Sequence, residues 1–263
     1  MMNTRPLAVV TGASSGIGLE LARQFAEHDF DLVINAEDTR LEGAAEQLRA
    51  SGADVLAVRA DLRSYEGVEE LYAAIAATGR PVSAAALNAG VGKGGAFVET
   101  DLADELSVIQ LNITSTVHLA KLMLQDMVAR NEGRVLITSS IASTMPGSFQ
   151  AVYNASKSFL QSFAQALQSE LGDTDVTVTS LMPGPTDTDF FRRADMEDTN
   201  IGQSPKDDPA QVARQGFEAL IDGDDKLVAG SVKTKAQGVA NKVLPDKVKA
   251  AAHRKMAEPG SGE

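Results

Sequence analysis

The chain has 263 residues, of which 43% are apolar, so it can bury a substantial core and suits one large α/β domain. Its formal charge of −12 disfavours nucleic acid as a partner, because phosphate backbones are bound by clustered Lys and Arg, and a small-molecule ligand is expected instead. The chain has no cysteine and its three histidines are far apart in sequence, which excludes disulfides and gives no support for a metal site.

The N-terminal segment Met1–Val10 lacks the long apolar stretch of a signal peptide. No segment of the sequence reaches the roughly 20 apolar residues that a transmembrane helix needs. From these two observations we expect a cytoplasmic protein.

Short apolar runs alternate with helical patterns along most of the sequence, which is typical of repeated β-α units that build a parallel sheet. In chain order, strands are predicted at Leu7–Val10, Leu32–Ile34, Val55–Arg59, Ala84–Leu87, Arg134–Thr138, Val176–Leu181 and Lys226–Val228. Helices are predicted at Gly16–Glu27, Leu41–Arg49, Tyr65–Ala77, about Leu102 to Arg130, about Ala151 to Leu171 and Pro209–Leu220. The pattern therefore predicts an α/β fold with a doubly wound parallel sheet in a single domain.

A glycine-rich turn, Thr11–Gly18, lies where the first predicted strand ends and the first helix begins. Gly12, Gly16 and Gly18 let the backbone turn tightly and approach a pyrophosphate, whose charge is favoured by the free N–H groups of the helix N-terminus. A turn that needs glycine only for its shape is the alternative. Three glycines in a strand–turn–helix context favour the phosphate-binding interpretation.

Polar residues follow two further predicted strands. Asp61 comes just after the third strand and is placed to accept a hydrogen bond from an adenine amino group. Asn88-Ala89-Gly90 ends the fourth strand at the same carboxyl edge, where ligands bind. Helix capping or a turn explains either feature alone. Their common position at strand ends favours a nucleotide site.

Tyr153 and Lys157 are four residues apart near the start of a predicted helix, so both side chains share one face. A phenol has a pKa near 10, and a neighbouring ammonium favours its ionised form. Tyr153 can then exchange a proton with a substrate oxygen. On an arbitrary helix this spacing is usually a solvated pair. Ser140, just past the fifth strand, strengthens the catalytic interpretation because its hydroxyl can hydrogen-bond a developing alkoxide.

The motifs Thr11–Gly18, Asn88–Gly90, Ser140, Tyr153–Lys157 and Pro183-Gly184 resemble, in order and spacing, the short-chain dehydrogenase/reductase family over about residues 5 to 230. The resemblance implies a Rossmann-type sheet and an NAD or NADP cofactor. It also implies hydride exchange with a carbonyl or secondary alcohol substrate, and a homodimer or homotetramer.

The same resemblance implies a role for each catalytic residue. Ser140 would orient the carbonyl, Tyr153 would be the acid/base, and Lys157 would lower the tyrosine pKa and hold the nicotinamide ribose. Asn112 would hold a water that links Lys157 to solvent, although a mid-helix Asn facing water is the alternative. A catalytically silent nucleotide-binding relative is disfavoured, because all four residues are present.

Cofactor preference is expected to depend on the residues after the second strand, Asn35–Asp38. A carboxylate there repels the 2′-phosphate of NADP, so Glu37 predicts NAD, with NADP still possible through Arg40 or Ser14. Thr188 is expected to contact the nicotinamide amide. The expected cofactor contacts are Gly12, Ser14, Ser15, Gly16, Ile17, Gly18, Glu37, Asp61, Leu62, Asn88, Ala89, Gly90, Tyr153, Lys157, Pro183, Gly184, Thr186 and Thr188.

The sequence changes character after Pro183. An irregular stretch to about Pro205 is expected either to cover a binding site or to be disordered. An apolar pocket there, or ordinary packing, would use Met145, Phe149, Phe190, Phe191 and Met196. Arg192 and Arg193 suit either a substrate anion or a solvated pair.

We divide the chain into a dinucleotide-binding and catalytic domain, residues 1–230, and a basic extension, residues 231–263. The extension is predicted to contain a basic helix over about 237–257, interrupted at Pro245, and a loose terminus over 258–263. It can pack on the acidic body of its own or a neighbouring subunit, or lie on an anionic membrane surface; packing is favoured.

Overall fold

A computed structural model describes residues 5–241 and 244–262 and contains a seven-stranded, wholly parallel sheet. The strands are β1 Leu7–Thr11, β2 Asp31–Ala36, β3 Val55–Arg59, β4 Val82–Leu87, β5 Gly133–Thr138, β6 Val176–Pro183 and β7 Lys226–Ala229. Their spatial order is β3-β2-β1-β4-β5-β6-β7, so the chain reverses direction across the sheet between β1 and β4. This confirms the predicted single-domain, doubly wound Rossmann-type fold.

Helices cover both faces of this sheet. They are α1 Gly16–Glu27, α2 Arg40–Ala50, α3 Tyr65–Ala77, α4 Leu102–Ile109, α5 Ser115–Arg130, α6 Ala151–Glu170, α7 Phe190–Arg193, α8 Asn200–Gln203, α9 Pro209–Asp222, α10 Val232–Ala240 and α11 Asp246–Ala257. One buried cluster joins α1, α2 and α9 to the sheet, and a second joins α3, α5 and α6 to its other face. The five central strands are mostly apolar and buried because both of their faces are covered, whereas the edge strands β3 and β7 are partly exposed.

The helix predicted over Leu102–Arg130 is interrupted in the structure. One π-helical turn, Gln110–Thr114, separates α4 from α5. The prediction of one continuous helix was therefore wrong. The sequence has no Pro or Gly in this turn, so no helix-breaking residue marks the interruption. Such single π turns insert one extra residue and are frequent at functional sites. Here the turn contains Asn112, which is fully buried.

The basic extension also differs from its prediction. It forms two helices, α10 and α11, with Pro245 at the N-cap of the second, so the predicted interruption at Pro245 is present, but α10 begins at Val232 and not at about 237. The terminus after Glu258 is not loose, because Gly260 and Gly262 donate backbone hydrogen bonds to Asp198, at 2.8 and 2.9 Å. Lys242, Val243 and Glu263 lie outside the described residues. No helix in the described part of the chain is long and apolar enough to cross a membrane.

Candidate active site

A cavity of about 570 Å³ runs along the carboxyl edge of the sheet, at the point where the strand order reverses. In doubly wound sheets this crevice is where ligands bind. Every residue expected to contact a cofactor lines it: Gly12, Ser14, Ser15, Gly16, Ile17, Gly18, Glu37, Asp61, Leu62, Asn88, Ala89, Gly90, Tyr153, Lys157, Pro183, Gly184, Thr186 and Thr188. Ser140 lines it as well, whereas Asn112 lies behind its wall.

The glycine-rich turn has a backbone that other residues would not tolerate. Gly12 and Gly16 have φ values of 68° and 57°, in the left-handed region that glycine adopts freely. A Cβ on Gly18 would lie 2.2 Å from the carbonyl oxygen of Gly12. The first turn of α1 has no acidic residue and no side-chain cap, which leaves its N–H groups open to an anion. This cradle fits a dinucleotide pyrophosphate.

Two acidic residues after β2 face the same cavity. Asp38 accepts a hydrogen bond from Ser14 at 3.0 Å and pairs with Arg40 at 3.0 Å and Arg193 at 3.2 Å. Burial opposes ionisation of Asp38, but hydrogen bonds from Arg40 and Ser14 outweigh it and lower its pKa from 3.8 to about 2. Asp38 is therefore a permanent negative charge beside the glycine turn, a role that the spacing of the sequence did not indicate.

Arg63 bridges the carboxylates of Glu37 and Asp61. It forms an ion pair with Glu37 and another with Asp61, the second at 2.9 Å. The Asp61 carboxylate that was expected to meet adenine is thus already paired with an arginine. Arg192 is also paired, with Asp189 at 3.3 Å. Within the described residues, the arginines at 192 and 193 therefore form ion pairs on the cofactor side rather than a site for a substrate anion.

Ser140, Tyr153 and Lys157 converge on the cavity from β5 and α6. Lys157 Nζ donates to the Thr138 carbonyl at 2.9 Å and lies 5.8 Å from the centre of the Tyr153 ring. Burial raises the pKa of Tyr153 to about 12, and the neighbouring Ser140 hydroxyl acts in the opposite direction. Burial lowers the pKa of Lys157 to about 8. At neutral pH the phenol therefore holds a proton beside a buried ammonium.

Asn112 does not face water, so the alternative of a solvated helix residue was wrong. Its amide accepts a hydrogen bond from Val91 N at 2.9 Å and donates to Val91 O at 2.9 Å and Ser156 Oγ at 3.0 Å. A Cβ on Gly90 would lie 3.1 Å from Asn112 Oδ1 and 3.3 Å from Lys157 Nζ. Glycine at 90 thus allows the helix amide and the lysine ammonium to approach the end of β4.

The substrate side of the cavity is only partly as expected. Met145, Phe190 and Phe191 line it, and the Phe190 ring lies 5.1 Å from that of Tyr153. Phe149 and Met196 instead pack in a cluster beside the cavity, since they fill the space between the loop that follows β6 and the extension. Other residues also line the substrate side of the cavity, and no local sequence pattern marks them; they include Gln150, Asn200, Ile201, Ser204, His253 and Met256.

The extension packs against the loop that follows Ser140, residues 141–150. Asn241 Nδ2 donates to Thr144 Oγ1 at 2.8 Å, and Lys249 Nζ donates to the Thr144 carbonyl at 3.0 Å. His253 Nδ1 lies 3.0 Å from the Ser148 carbonyl oxygen. The extension thus packs on its own chain through hydrogen bonds, and the ion pairs that its described basic residues form, Lys249 with Asp246 and Arg254 with Glu258, lie within the extension itself. Contacts across about 100 residues leave no signal in local spacing.

Comparisons with known proteins agree with this geometry. A family model described as short chain dehydrogenase matches residues 6–199. Oxidoreductase UcpA of Salmonella typhimurium is 30% identical over 220 residues, which cover 82% of this chain and 81% of that protein.

Two solved structures are also similar. A short chain dehydrogenase/reductase from Burkholderia phymatum in complex with NAD has a TM-score of 0.81 at 26% identity, over 92% of this chain and 94% of that one. A short-chain dehydrogenase from Sphingobium yanoikuyae in complex with NADPH has a TM-score of 0.78 at 26% identity, over 90% and 94%. The chain belongs to the short-chain dehydrogenase/reductase family of oxidoreductases.

Proposed function

We propose that this protein transfers a hydride between a nicotinamide cofactor and a carbonyl or secondary alcohol carbon, with Tyr153 as the acid/base. The observation that carries the proposal is the meeting of Ser140, Tyr153 and Lys157 on one wall of the cavity that begins at the glycine turn. A bound nicotinamide supplies or accepts the hydride. The protein side chains bind and orient the substrate and move the proton.

In the reducing direction, Tyr153 gives its phenolic proton to the substrate oxygen. Its pKa of about 12 keeps that proton on the phenol at neutral pH until negative charge develops on the oxygen. The Ser140 hydroxyl donates a hydrogen bond to the same oxygen and holds the carbonyl in place. In the oxidising direction, the phenol must first lose its proton, which the ammonium of Lys157 favours.

Lys157 and Asn112 complete the proposed site. Lys157 would hold the ribose hydroxyls of the cofactor while its charge acts on Tyr153. Asn112 holds the backbone of Val91 in place and lies beside Gly90, as Lys157 does, and we propose for it the role of holding a water that links Lys157 to solvent. The proposed cofactor contacts are the cavity-lining residues given above, with Thr188 near the nicotinamide.

We propose a preference for NAD over NADP. The two similar structures contain NAD in one case and NADPH in the other, so the local charges carry this choice. Glu37 and Asp38 bring two carboxylates to the cavity wall after β2, where we propose that the 2′ position of the cofactor lies, and the low pKa of Asp38 keeps one of them charged. Arg40, Arg63 and Arg193 are paired with carboxylates, so a phosphate would have to compete with these carboxylates for them.

The function is tested by calorimetric titration with NADH and NADPH, followed by absorbance assays with a panel of carbonyls and alcohols. We expect tighter binding of NADH and cofactor oxidation with at least one carbonyl substrate. Binding of NADH without turnover of any carbonyl or alcohol would favour the silent nucleotide-binding alternative. Tighter binding of NADPH would contradict the cofactor assignment.

We also propose that the protein forms a homodimer or homotetramer. Helix α4 exposes an apolar stripe of Leu102, Leu106 and Ile109, whose side chains are 67%, 43% and 37% exposed. These residues are spaced to share one helix face, and an unpaired stripe of this kind is typical of an interface. Light scattering of the purified protein checks the assembly, and Leu106→Glu should dissociate it. A monomeric wild type would contradict the proposal.

A further inference from the structure

Gln150 is a buried polar residue on the substrate side of the cavity. It precedes α6 by one residue and Tyr153 by three, and only 4% of its surface is exposed. It lines the same cavity as Tyr153 and Ser140. Among the described residues, its side-chain amide has no hydrogen-bond partner. The amide is not one of the fully buried unpaired polar groups, so it faces the open cavity, where a polar group that the chain itself does not use is available to a ligand.

The helix does not need this amide. Gln150 occupies the N-cap position of α6, where Ser, Thr, Asp and Asn are preferred because their short side chains accept a backbone hydrogen bond. The side chain of Gln150 makes no such bond. Its backbone carbonyl accepts the first hydrogen bond of the helix, from Asn154 N at 2.9 Å. The polar group of Gln150 is therefore available to a ligand.

The turn before Gln150 is held from two sides. Phe149 has a φ of 63°, which is unusual for a bulky residue and persists only where the surroundings impose it. Its carbonyl oxygen accepts a hydrogen bond from Gly95 N at 3.0 Å, and the Arg254 guanidinium lies 5.3 Å from its ring centre. His253 holds the Ser148 carbonyl. These contacts fix the backbone that presents Gln150 to the cavity.

We propose that Gln150 recognises a second oxygen on the substrate, so that the site prefers carbonyl compounds with another hydrogen-bonding oxygen close to the reacting carbon. This inference rests on the proposed function, because it assumes that the substrate carbonyl lies against Tyr153. The Gln150 amide donates to a carbonyl oxygen or accepts from a hydroxyl. A plain ketone would cover the amide and displace water from it without offering a hydrogen-bond partner, and a site built to pair a polar group discriminates against such a ligand.

The test measures binding in a ternary complex that cannot react. Wild-type protein saturated with NAD⁺ is titrated with ethyl acetoacetate or with methyl pentyl ketone, which has the same chain length but no second carbonyl. Both the cofactor and the ligand are already oxidised, so the result does not depend on turnover. We expect the ester to bind about tenfold more tightly than the ketone.

Gln150→Met keeps the length of the side chain but removes its hydrogen-bonding groups. This variant should bind the ester about tenfold more weakly and the ketone unchanged. Gln211→Met, the same substitution on α9 away from the cavity, should retain the wild-type preference. Thermal unfolding of both variants verifies that they are folded. Equal affinities for the two ligands in the wild type, no binding of the ester, or an equal loss for both ligands in Gln150→Met would overturn the proposal.

The proposed function fails in a different way. A wild-type protein that binds the ester selectively in the NAD⁺ complex, but never oxidises NADH with any carbonyl, contradicts hydride transfer and leaves the role of Gln150 intact. Conversely, reduction of both ligands with equal kcat/KM, together with equal affinities, supports hydride transfer and removes the role of Gln150.

Discussion

The cofactor side and the substrate side of the cavity are built in different ways. On the cofactor side, short local motifs at strand ends supply the surface, as in the turn Thr11–Gly18 and in Asn88–Gly90. On the substrate side, loop 141–150 meets the extension, residues 231–262, which is remote in sequence. The comparison shows why the first surface has a recognisable sequence signature and the second does not.

The two sides also differ in the forces that close them. Ion pairs cross the cofactor side, where Arg40 bonds Asp189 at 2.6 Å and Arg193 bonds Asp38 at 3.2 Å, joining the region after β2 to the loop after β6. Hydrogen bonds to backbone carbonyls hold the substrate side, as between His253 and Ser148. Changes to charge should therefore act mainly on cofactor binding, and changes to the extension mainly on substrate turnover.

Truncation after Gly230 is expected to give the largest difference between the effect on substrate turnover and the effect on cofactor binding. Loss of α10 and α11 removes one wall of the substrate side, including His253 and Met256, but none of the expected cofactor contacts. We expect lower thermal stability and no measurable turnover, with the Kd for NADH within about threefold of wild type. Calorimetry and steady-state assays on the same preparation check this.

His253→Ala is the milder companion of this truncation, since it removes only one side chain, which contacts Ser148 and Asn154. It should raise KM for the substrate and leave cofactor affinity unchanged. If either variant loses NADH binding in parallel with turnover, the two sides are not separable.

The next largest effect is on stability. The pKa of Lys157 is lowered from 10.5 to about 8 by burial, so below pH 8 the folded protein holds a buried charge at a cost of roughly 3 kcal/mol. Lys157→Met removes this cost and should have a higher free energy of unfolding than the wild type at pH 7 without cofactor.

This difference in stability should depend on pH. Between about pH 8 and 10.5 the unfolded wild-type chain keeps a proton that the folded one lacks, so the stability of the wild type rises with pH and the difference from Lys157→Met becomes smaller. Urea unfolding at pH 7 and pH 10 measures both; a constant difference would contradict the burial of the charge.

The same variant should lose function. Lys157 is proposed to hold the cofactor ribose and to act on Tyr153, so Lys157→Met should weaken NADH binding and reduce kcat together. Calorimetry gives the first quantity and steady-state kinetics the second. A change in only one of them would separate the two roles.

A smaller effect is expected for cofactor choice. Asp38→Ala removes the charge beside Ser14, frees Arg193 and leaves Arg40 paired with Asp189 alone, so it should tighten NADPH binding about tenfold. Glu37→Ala is the matched control and should have a smaller effect, because Arg63 stays paired with Asp61. Glu37→Arg should shift preference further toward NADPH by adding a phosphate partner. Calorimetry with both cofactors decides, and an unchanged preference in all three variants would place the 2′ position elsewhere.

The sequence predicted the sheet, the glycine turn and the convergence of Ser140, Tyr153 and Lys157, because periodicity and strand-end position specify these features locally. It did not predict the π turn, since no residue type in Gln110–Thr114 demands one. It also missed Gln150, whose importance depends on burial and on the lack of a partner. Both properties arise only when distant segments pack together.

The most direct test of hydride transfer with Tyr153 as the acid/base is the substitution Tyr153→Phe, measured for NADH affinity and for kcat on the same substrate. The ring and its contact with Phe190 remain, but the proton donor is lost. The account predicts a Kd for NADH close to wild type and a fall in kcat of at least about 100-fold. A variant that binds NADH normally and keeps near wild-type kcat would contradict the assignment.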